Sequence, residues 1–252
     1  MVLRHSQSDT QNPNVTNWSE KYASTDNSAF FTDAIADLSG DQDGLGLIGL
    51  VGSSDLPGVA LRRAQSILRW DRRPSLWSHA FLLVGGGEIR EVALHSRAGH
   101  FPEPADNAIT EATLAHYGDP KRDPNVALLA VKMDAEEAAR VTSRATEDPN
   151  LERLRYDLFE TLGFWQAYLW TRGTANPLEA GVPNHSSAMV EYCFEEIQLD
   201  LTPGANDRNS APEHLWNGAR WWNDAFGEFD RPISGRFVIR DPHCAVLGPG
   251  EL

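Results

Sequence analysis

Three consecutive glycines, Gly85–Gly87, separate two strand-like segments, and this feature constrains the fold of the 252-residue chain more than any other. Residues 77–84 and 88–95 on either side are rich in apolar side chains. Glycine accepts the positive φ angles of tight turns without steric cost, so the pattern predicts an antiparallel β-hairpin. A sheet that contains this hairpin is therefore the expected centre of the fold.

Further apolar runs and helical periodicities extend the prediction to an α+β fold, an antiparallel sheet packed on helices. More strands are expected at residues 45–52, 124–133 and 235–240. Helices are expected at residues 56–70, 135–141 behind an Asp134 cap, 157–170, 188–197 and 211–222. Residues 1–40 are rich in Ser, Asn, Asp, Thr and Gln, which predicts a loosely ordered N-terminal arm, suited to a protein partner, ahead of one domain over residues 41–252.

Charge and composition exclude several classes of function. With 36 acidic and 22 basic residues the net charge is −14, which disfavours nucleic acid because its phosphates would be repelled. A mean hydropathy of −0.41 predicts no stable membrane insertion. The start of the chain carries no secretion signal, so we expect synthesis in the cytoplasm and, for any export, a specialised secretion system. Two cysteines, without zinc-binding or phosphate-loop spacing, predict no metal and no organic cofactor.

The predicted hairpin carries the first candidate site residues, His79, Glu91 and His95. If all three glycines form the loop, Val84 faces Glu88, and Glu91 then lies one diagonal step from His79 on the same face, about 7–8 Å between Cα atoms. A carboxylate at that distance can reach an imidazole. Glu91 is therefore the first candidate for orienting His79, and His95 is the second. A two-residue turn would flip the parity of the strands and remove both.

Four local motifs follow one another along the chain. Trp77–Ala80 opens the first hairpin strand, Glu91 lies on the second, Tyr156–Asp157 comes later, and Ser186–Val190 opens a buried helix. In this order they resemble the permuted papain-like amidases, the YiiX-like, circularly permuted branch of the NlpC-type cysteine hydrolase superfamily. The resemblance spans about residues 45–218, and its more specific part is the Trp-Ser-His-Ala motif. It implies a circularly permuted papain-like fold and a cysteine-type hydrolase or acyltransferase.

The resemblance also implies roles for individual residues. His79 is the implied general base and acid, Glu91 its orienting partner, and backbone N–H groups at the start of the helix the oxyanion site. Ser186 takes the place where the family has its nucleophilic cysteine. Either a working enzyme has had its thiol replaced, which the otherwise intact motif favours, or this is a naturally inert relative. The residues expected to line the substrate cleft are Tyr156, Asp157 and Trp77.

The chemistry explains why a nucleophile would lie at position 186. The positive end of a helix dipole and an imidazolium from His79 both favour a thiolate. A serine hydroxyl is a far weaker acid than a cysteine thiol with its pKa of about 8.5, so this chain is expected to bind a substrate but hardly turn it over. Structural explanations remain open for each residue: Ser186 could be a plain helix cap, and Cys193 is expected to be a small buried apolar residue rather than a nucleophile.

Three functions follow from the resemblance. The first expectation is hydrolysis of an amide bond in a peptide or cell-wall peptide by an enzyme inactivated at Ser186, as in a bacterial effector or toxin. The second is a lipid acyl hydrolase or acyltransferase on the same fold, with an acyl groove formed by the aromatic C-terminal part. The third is an inactive binding module that keeps the fold without the thiol.

Overall fold

The computed structural model describes residues 12–40, 44–69, 71–92, 106–107, 109–147, 154–155, 186–203, 210–226 and 232–241. Over these residues the chain is an α+β protein with five α-helices and a seven-stranded, mostly antiparallel open sheet. The predicted α+β class is confirmed, and the permuted papain-like topology stays a prediction.

One parallel pair, between its first and last strands in the chain, interrupts the antiparallel pattern of the sheet. In spatial order the strands are β1 (Val15–Asn17), β9 (Ile233–Ile239), β7 (Asn125–Lys132), β2 (Leu45–Gly52), β3 (His79–Gly85), β4 (Glu88–Val92) and β6 (Ile109–Thr113). A separate short pair joins β5 (Asp106–Asn107) to β8 (Leu154–Arg155). The strand predicted at residues 45–52 is confirmed at the same bounds, and those predicted at 124–133 and 235–240 are β7 and β9.

Helices cover both faces of the sheet. They are α1 (Asn27–Ser39), α2 (Leu56–Ala64), α3 (Ala135–Glu147), α4 (Ser186–Glu195) and α5 (Pro212–Phe226). Leu47 and Val51 of β2 pack in one core cluster with α1, whereas Ile48 and Leu50 pack in the other with α3, α4 and α5. Because both faces are covered, β2 is a continuous apolar run in the sequence rather than an alternating one.

Two helix predictions need adjustment. The helix expected at residues 56–70 ends at Ala64 and continues as a 3₁₀ helix over Gln65–Leu68. The helix expected from residue 188 begins two residues earlier, so Ser186 lies in its first turn rather than ahead of it. The helix predicted at residues 157–170 lies outside the described residues.

The prediction of a loosely ordered arm over residues 1–40 is wrong for residues 12–40. They form β1 and α1, and α1 is capped by Asp26, whose side chain accepts a hydrogen bond from the N–H of Ala29 at 2.8 Å. Phe30 and Phe31 of α1 are fully buried in the core. Apart from the buried Asn27, the polar residues of α1 are exposed or half-buried, and averaging them with its apolar face made the segment look unstructured. The fold therefore begins before residue 41, and residues 1–11 lie outside the described part.

The turn between β3 and β4 is shorter than predicted, yet the two strands pair in the predicted register. Gly85 pairs with Glu88, so the turn has two residues, and all three glycines have positive φ angles of 129°, 57° and 83°. The register then shifts between Leu83 and Gly85, which leaves Val84 as a bulge. This extra residue offsets the short turn, and Leu82 pairs with Arg90 in the predicted register. The same-face relation of the two candidate site residues is preserved.

Candidate active site

Helix α4 brings Ser186 to the beginning of β3. Apolar side chains of α4, including Met189 and Val190, pack in one cluster with Ala80 and Leu82 of β3, and this burial sets the helix against the strand. Ser186, which is only 2% exposed, accepts a hydrogen bond on its Oγ from the N–H of Ala80 at 3.0 Å. Strand β3 pairs with β4 as far as Leu82 and not at Ala80, so this contact lies where the two strands have separated.

Next to that contact, His79 and Glu91 form a buried pair. The Nε2 atom of His79 lies 2.7 Å from Oε2 of Glu91, and the two residues are 7% and 4% exposed. An ionised carboxylate can only accept hydrogen bonds, so we infer that Nε2 carries the proton. In a neutral ring Nδ1 then keeps its lone pair. The predicted orienting partner of His79 is thus in hydrogen-bond contact with it.

A third residue, Tyr117, completes this group. Its hydroxyl donates a hydrogen bond to Oε2 of Glu91, the same oxygen that His79 contacts. Its ring is stacked on those of His79 and Phe81, with centroids 5.8 and 5.1 Å apart. Tyr117 lies at the end of a 3₁₀ helix, Leu114–Tyr117, and was missed by the sequence analysis. A lone aromatic residue before a glycine carries no periodic signal that could have singled it out.

His79 and Ser186 approach the same stretch of main chain from opposite sides of the sheet. The stacking of His79 on Tyr117 turns its ring towards the α1 side, whereas Ala80 packs with α4. Over the described residues, the hydrogen bond of the His79 ring goes to Glu91, and that of the Ser186 hydroxyl comes from Ala80. The structure thus brings Ser186 against the neighbour of His79 without a direct hydrogen bond between the two side chains.

Of the three residues predicted to line the substrate cleft, the structure describes Trp77 alone. Trp77 is fully buried and packs edge-on against Trp216, with ring centroids 5.0 Å apart, so its side chain has no surface to offer a substrate. Tyr156 and Asp157 lie outside the described residues, as does His95, the second candidate for orienting His79.

Cys193 is a core residue, as predicted. It lies on the buried side of α4, and burial raises the pKa of its thiol to about 12. A thiol held protonated in this way is a poor nucleophile. Trp216 and Trp222 are also buried, whereas Trp221 is 40% exposed, so the aromatic C-terminal part forms core more than open groove.

Buried polar contacts hold the segment that leads into His79. Gln65 donates from Nε2 to the carbonyl of Trp77 at 2.7 Å and accepts from the N–H of Glu213 at 2.9 Å. Ser75 donates to Oε2 of Glu213 at 2.6 Å. Burial raises the pKa of the Glu213 carboxyl, and Arg69 and Ser75 oppose that rise. These bonds tie the start of β3 to the start of α5.

An open groove lies away from these residues. A groove of about 1140 Å³ at the other end of β3 is lined by Ile35, Leu83 and Leu114 together with Gly85–Gly87. The residues of β3 that line it, Leu83 to Gly85, are four to six residues from His79, so at about 3.3 Å per residue the groove lies roughly 13–20 Å from His79. It is therefore separate from the candidate active site.

No protein-family model matches the chain, and no curated protein matches it. Among the described residues, no group of three or more His, Cys, Asp or Glu side chains could hold a metal ion. None of the helices in the described ranges combines the length and apolarity that crossing a membrane requires.

Proposed function

We propose that this chain carries the site of a thiol-dependent acyl hydrolase or acyltransferase of papain-like, circularly permuted type, with Ser186 at the position of the nucleophile. The observation that carries the proposal is the hydrogen bond between Ser186 and the N–H of Ala80, the residue next to His79 in the chain, with the His79–Glu91 pair on the other side of the same strand. A nucleophile at a helix N-terminus and an imidazole with an orienting carboxylate are the parts that acyl transfer requires.

In the proposed reaction a thiol at position 186, which lies on the other side of the sheet from the His79 ring, reaches through the gap where β3 and β4 no longer pair. There it gives its proton to Nδ1 of His79, the ring nitrogen that Glu91 leaves unbonded. The thiolate attacks the carbonyl carbon, and the partial positive charge at the start of α4 stabilises both the thiolate and the oxyanion. His79 then returns the proton to the leaving amine. Water repeats the sequence to release the acid, and Glu91 holds the ring in place throughout.

With serine at position 186 the first step becomes the obstacle. The hydroxyl is a much weaker acid than a thiol, and here it accepts a hydrogen bond from Ala80 rather than donating one to His79. The proposed activity of the chain as it stands is therefore binding with little turnover.

For the substrate we propose an amide bond of a peptide, in line with the resemblance to the permuted amidases. The lipid alternative gains no support from Trp216 and Trp222, which are buried in the core, or from the groove at the far end of β3. Lipid acyl hydrolysis and a non-catalytic binding role are therefore outcomes that the experiment has to separate.

The test restores the thiol with Ser186→Cys and compares it with Ser187→Cys. Ser187 is the matched control because it is the next residue in the same helical turn and is equally buried. Each purified chain is offered a peptidoglycan digest and mixed phospholipid vesicles, and released amines and fatty acids are followed by mass spectrometry. We expect amide cleavage by Ser186→Cys alone.

A second comparison ties the activity to the imidazole. Adding His79→Ala to Ser186→Cys is expected to lower the rate at least about 100-fold, the usual contribution of a general base. A folded Ser186→Cys chain that cleaves neither class of substrate would support the binding module. Release of fatty acid alone would support the lipid enzyme, and activity independent of His79 would overturn the proposal.

A further inference from the structure

We propose that Tyr117 is a positioning residue of this site: its hydroxyl holds Glu91, and through Glu91 it holds the His79 ring in one orientation and one tautomer. The catalytic meaning of this role rests on the proposed function. The contact itself does not, because it exists in the chain with Ser186 as it stands.

The first argument is the sharing of one oxygen. Oε2 of Glu91 is the partner of both Nε2 of His79 and the hydroxyl of Tyr117. An ionised carboxylate can only accept hydrogen bonds, so both the imidazole and the hydroxyl have to act as donors to this oxygen. Two donors at different positions also fix the orientation of the carboxylate group. The tyrosine thus limits the rotation of the carboxylate, and the carboxylate in turn keeps the proton of His79 on Nε2.

The second argument is the rigidity of Tyr117 itself. Its ring lies between contacts with His79 and Phe81, and it is fully buried. Its main-chain carbonyl accepts a hydrogen bond from Nδ2 of Asn27 at 2.9 Å, and the same amide group reaches the carbonyl of Asp123 at 2.8 Å. A hydroxyl on so restrained a ring is preorganised, so its bond to Glu91 costs little further ordering.

The chain offers a matched control in Tyr22. This tyrosine is also buried in the α1-side core cluster, and its hydroxyl also donates a hydrogen bond to a carboxylate, that of Asp33. Asp33 contacts Lys21 rather than an imidazole. Tyr22→Phe therefore also removes a tyrosine–carboxylate hydrogen bond, although one whose acceptor is half exposed, without touching the candidate site.

The experiment uses NMR of the full chain with ¹⁵N-labelled histidine and serine kept at position 186. The resonances of His79 are identified by their loss in His79→Gln, since the chain has eight histidines. We expect His79 to be in the Nε2–H tautomer in the parent and in Tyr22→Phe. In Tyr117→Phe we expect exchange of this proton with water to be about 5- to 10-fold faster, as one hydrogen bond is lost. An unchanged tautomer and exchange rate in a folded Tyr117→Phe chain would overturn the proposal.

A second measurement needs no variant and so remains decisive if Tyr117→Phe does not fold. Because both protons point at one oxygen, the hydroxyl proton of Tyr117 and the Nε2 proton of His79 should give a nuclear Overhauser cross-peak in the parent chain. Absence of this cross-peak, with both protons observed, would contradict the geometry.

The catalytic consequence is measured in the Ser186→Cys background. Tyr117→Phe is expected to lower kcat/KM about tenfold, mainly through kcat, whereas Tyr22→Phe leaves it unchanged. If Ser186→Cys has no activity at all, the proposed function fails while the NMR result still decides the role of Tyr117. If both tyrosine variants lose activity equally, the effect is one of general stability and the positioning role is refuted.

Discussion

Ser186→Ala is the change that most directly tests the contact between α4 and β3. The Ser186 hydroxyl accepts the N–H of Ala80 at 3.0 Å, and both residues are buried. Alanine removes the acceptor, and the space of one oxygen atom that it vacates is too small to hold a water molecule. The N–H of Ala80 is then expected to lose its partner in the folded state while keeping water as a partner in the unfolded state.

The size of the effect follows from that imbalance. A buried donor without an acceptor costs about 1–3 kcal/mol. Alanine has the higher helix propensity, which returns at most about 0.5 kcal/mol. A net loss of about 2 kcal/mol is expected, which for a chain of this size lowers Tm by about 4–8 °C. Ser187→Ala should cost less, because its hydroxyl donates to the carbonyl of Ser210, and a carbonyl tolerates the loss of a partner better than an N–H does.

The free energy of unfolding is measured by urea titration with tryptophan fluorescence, which the eight tryptophans make sensitive. The expected order of stability is parent, Ser187→Ala, Ser186→Ala, with the same dependence on urea for all three. A Ser186→Ala chain within about 0.5 kcal/mol of the parent would refute the reasoning, since such a loss is ordinary for a surface change. Position 186 would then not be held against the residue beside His79, and the proposed function would lose the observation that carries it.

Three further predictions use the same preparations. Burial raises the pKa of Glu213 above its ordinary value of 4.5, so ionising this carboxyl lowers the stability of the folded chain. Glu213→Gln should therefore become more stable relative to the parent as the pH rises from about 4 to about 8. A stability difference that does not change with pH would contradict this. With its pKa raised to about 12, Cys193 should resist iodoacetamide in the folded chain and react in urea, as peptide mapping that separates it from Cys244 will measure. Phe30→Ala should lower the free energy of unfolding by about 3–5 kcal/mol, and a loss below about 1 kcal/mol would mean that α1 is not part of the core.

The pair of His79 and Glu91 was predictable because it depends on short-range rules. Twelve residues separate the two, and the two-residue period of strands with the glycine turn between them decides whether they share a face. Even there the detail differed from the prediction. The turn has two residues instead of three, and the bulge at Val84 restores the predicted register. The neighbourhood of Ser186 could be anticipated only by resemblance, since 106 residues separate it from Ala80.

The N-terminal segment and Tyr117 illustrate what sequence reasoning missed. Strand β1 pairs with β9, which lies more than two hundred residues later in the chain. The residues Val15–Asn17 carry no local pattern that predicts this pairing. Tyr117 matters because the chain returns beneath the hairpin and brings its hydroxyl to Glu91. Neither feature has a periodicity, a cap or a motif of its own.

The amino-acid sequence by itself determined the apolar strands, a glycine turn between β3 and β4, a buried helix close to Ser186 and the common face of His79 and Glu91. All of these follow from steric and hydrophobic preferences that act between neighbours a few residues apart. Only the tertiary structure decided that α1 covers one face of the sheet, that Ser186 reaches the main chain beside His79, and that Tyr117 shares the oxygen of Glu91. Contacts of that kind depend on how whole buried surfaces fit together, and no short stretch of residues encodes that fit.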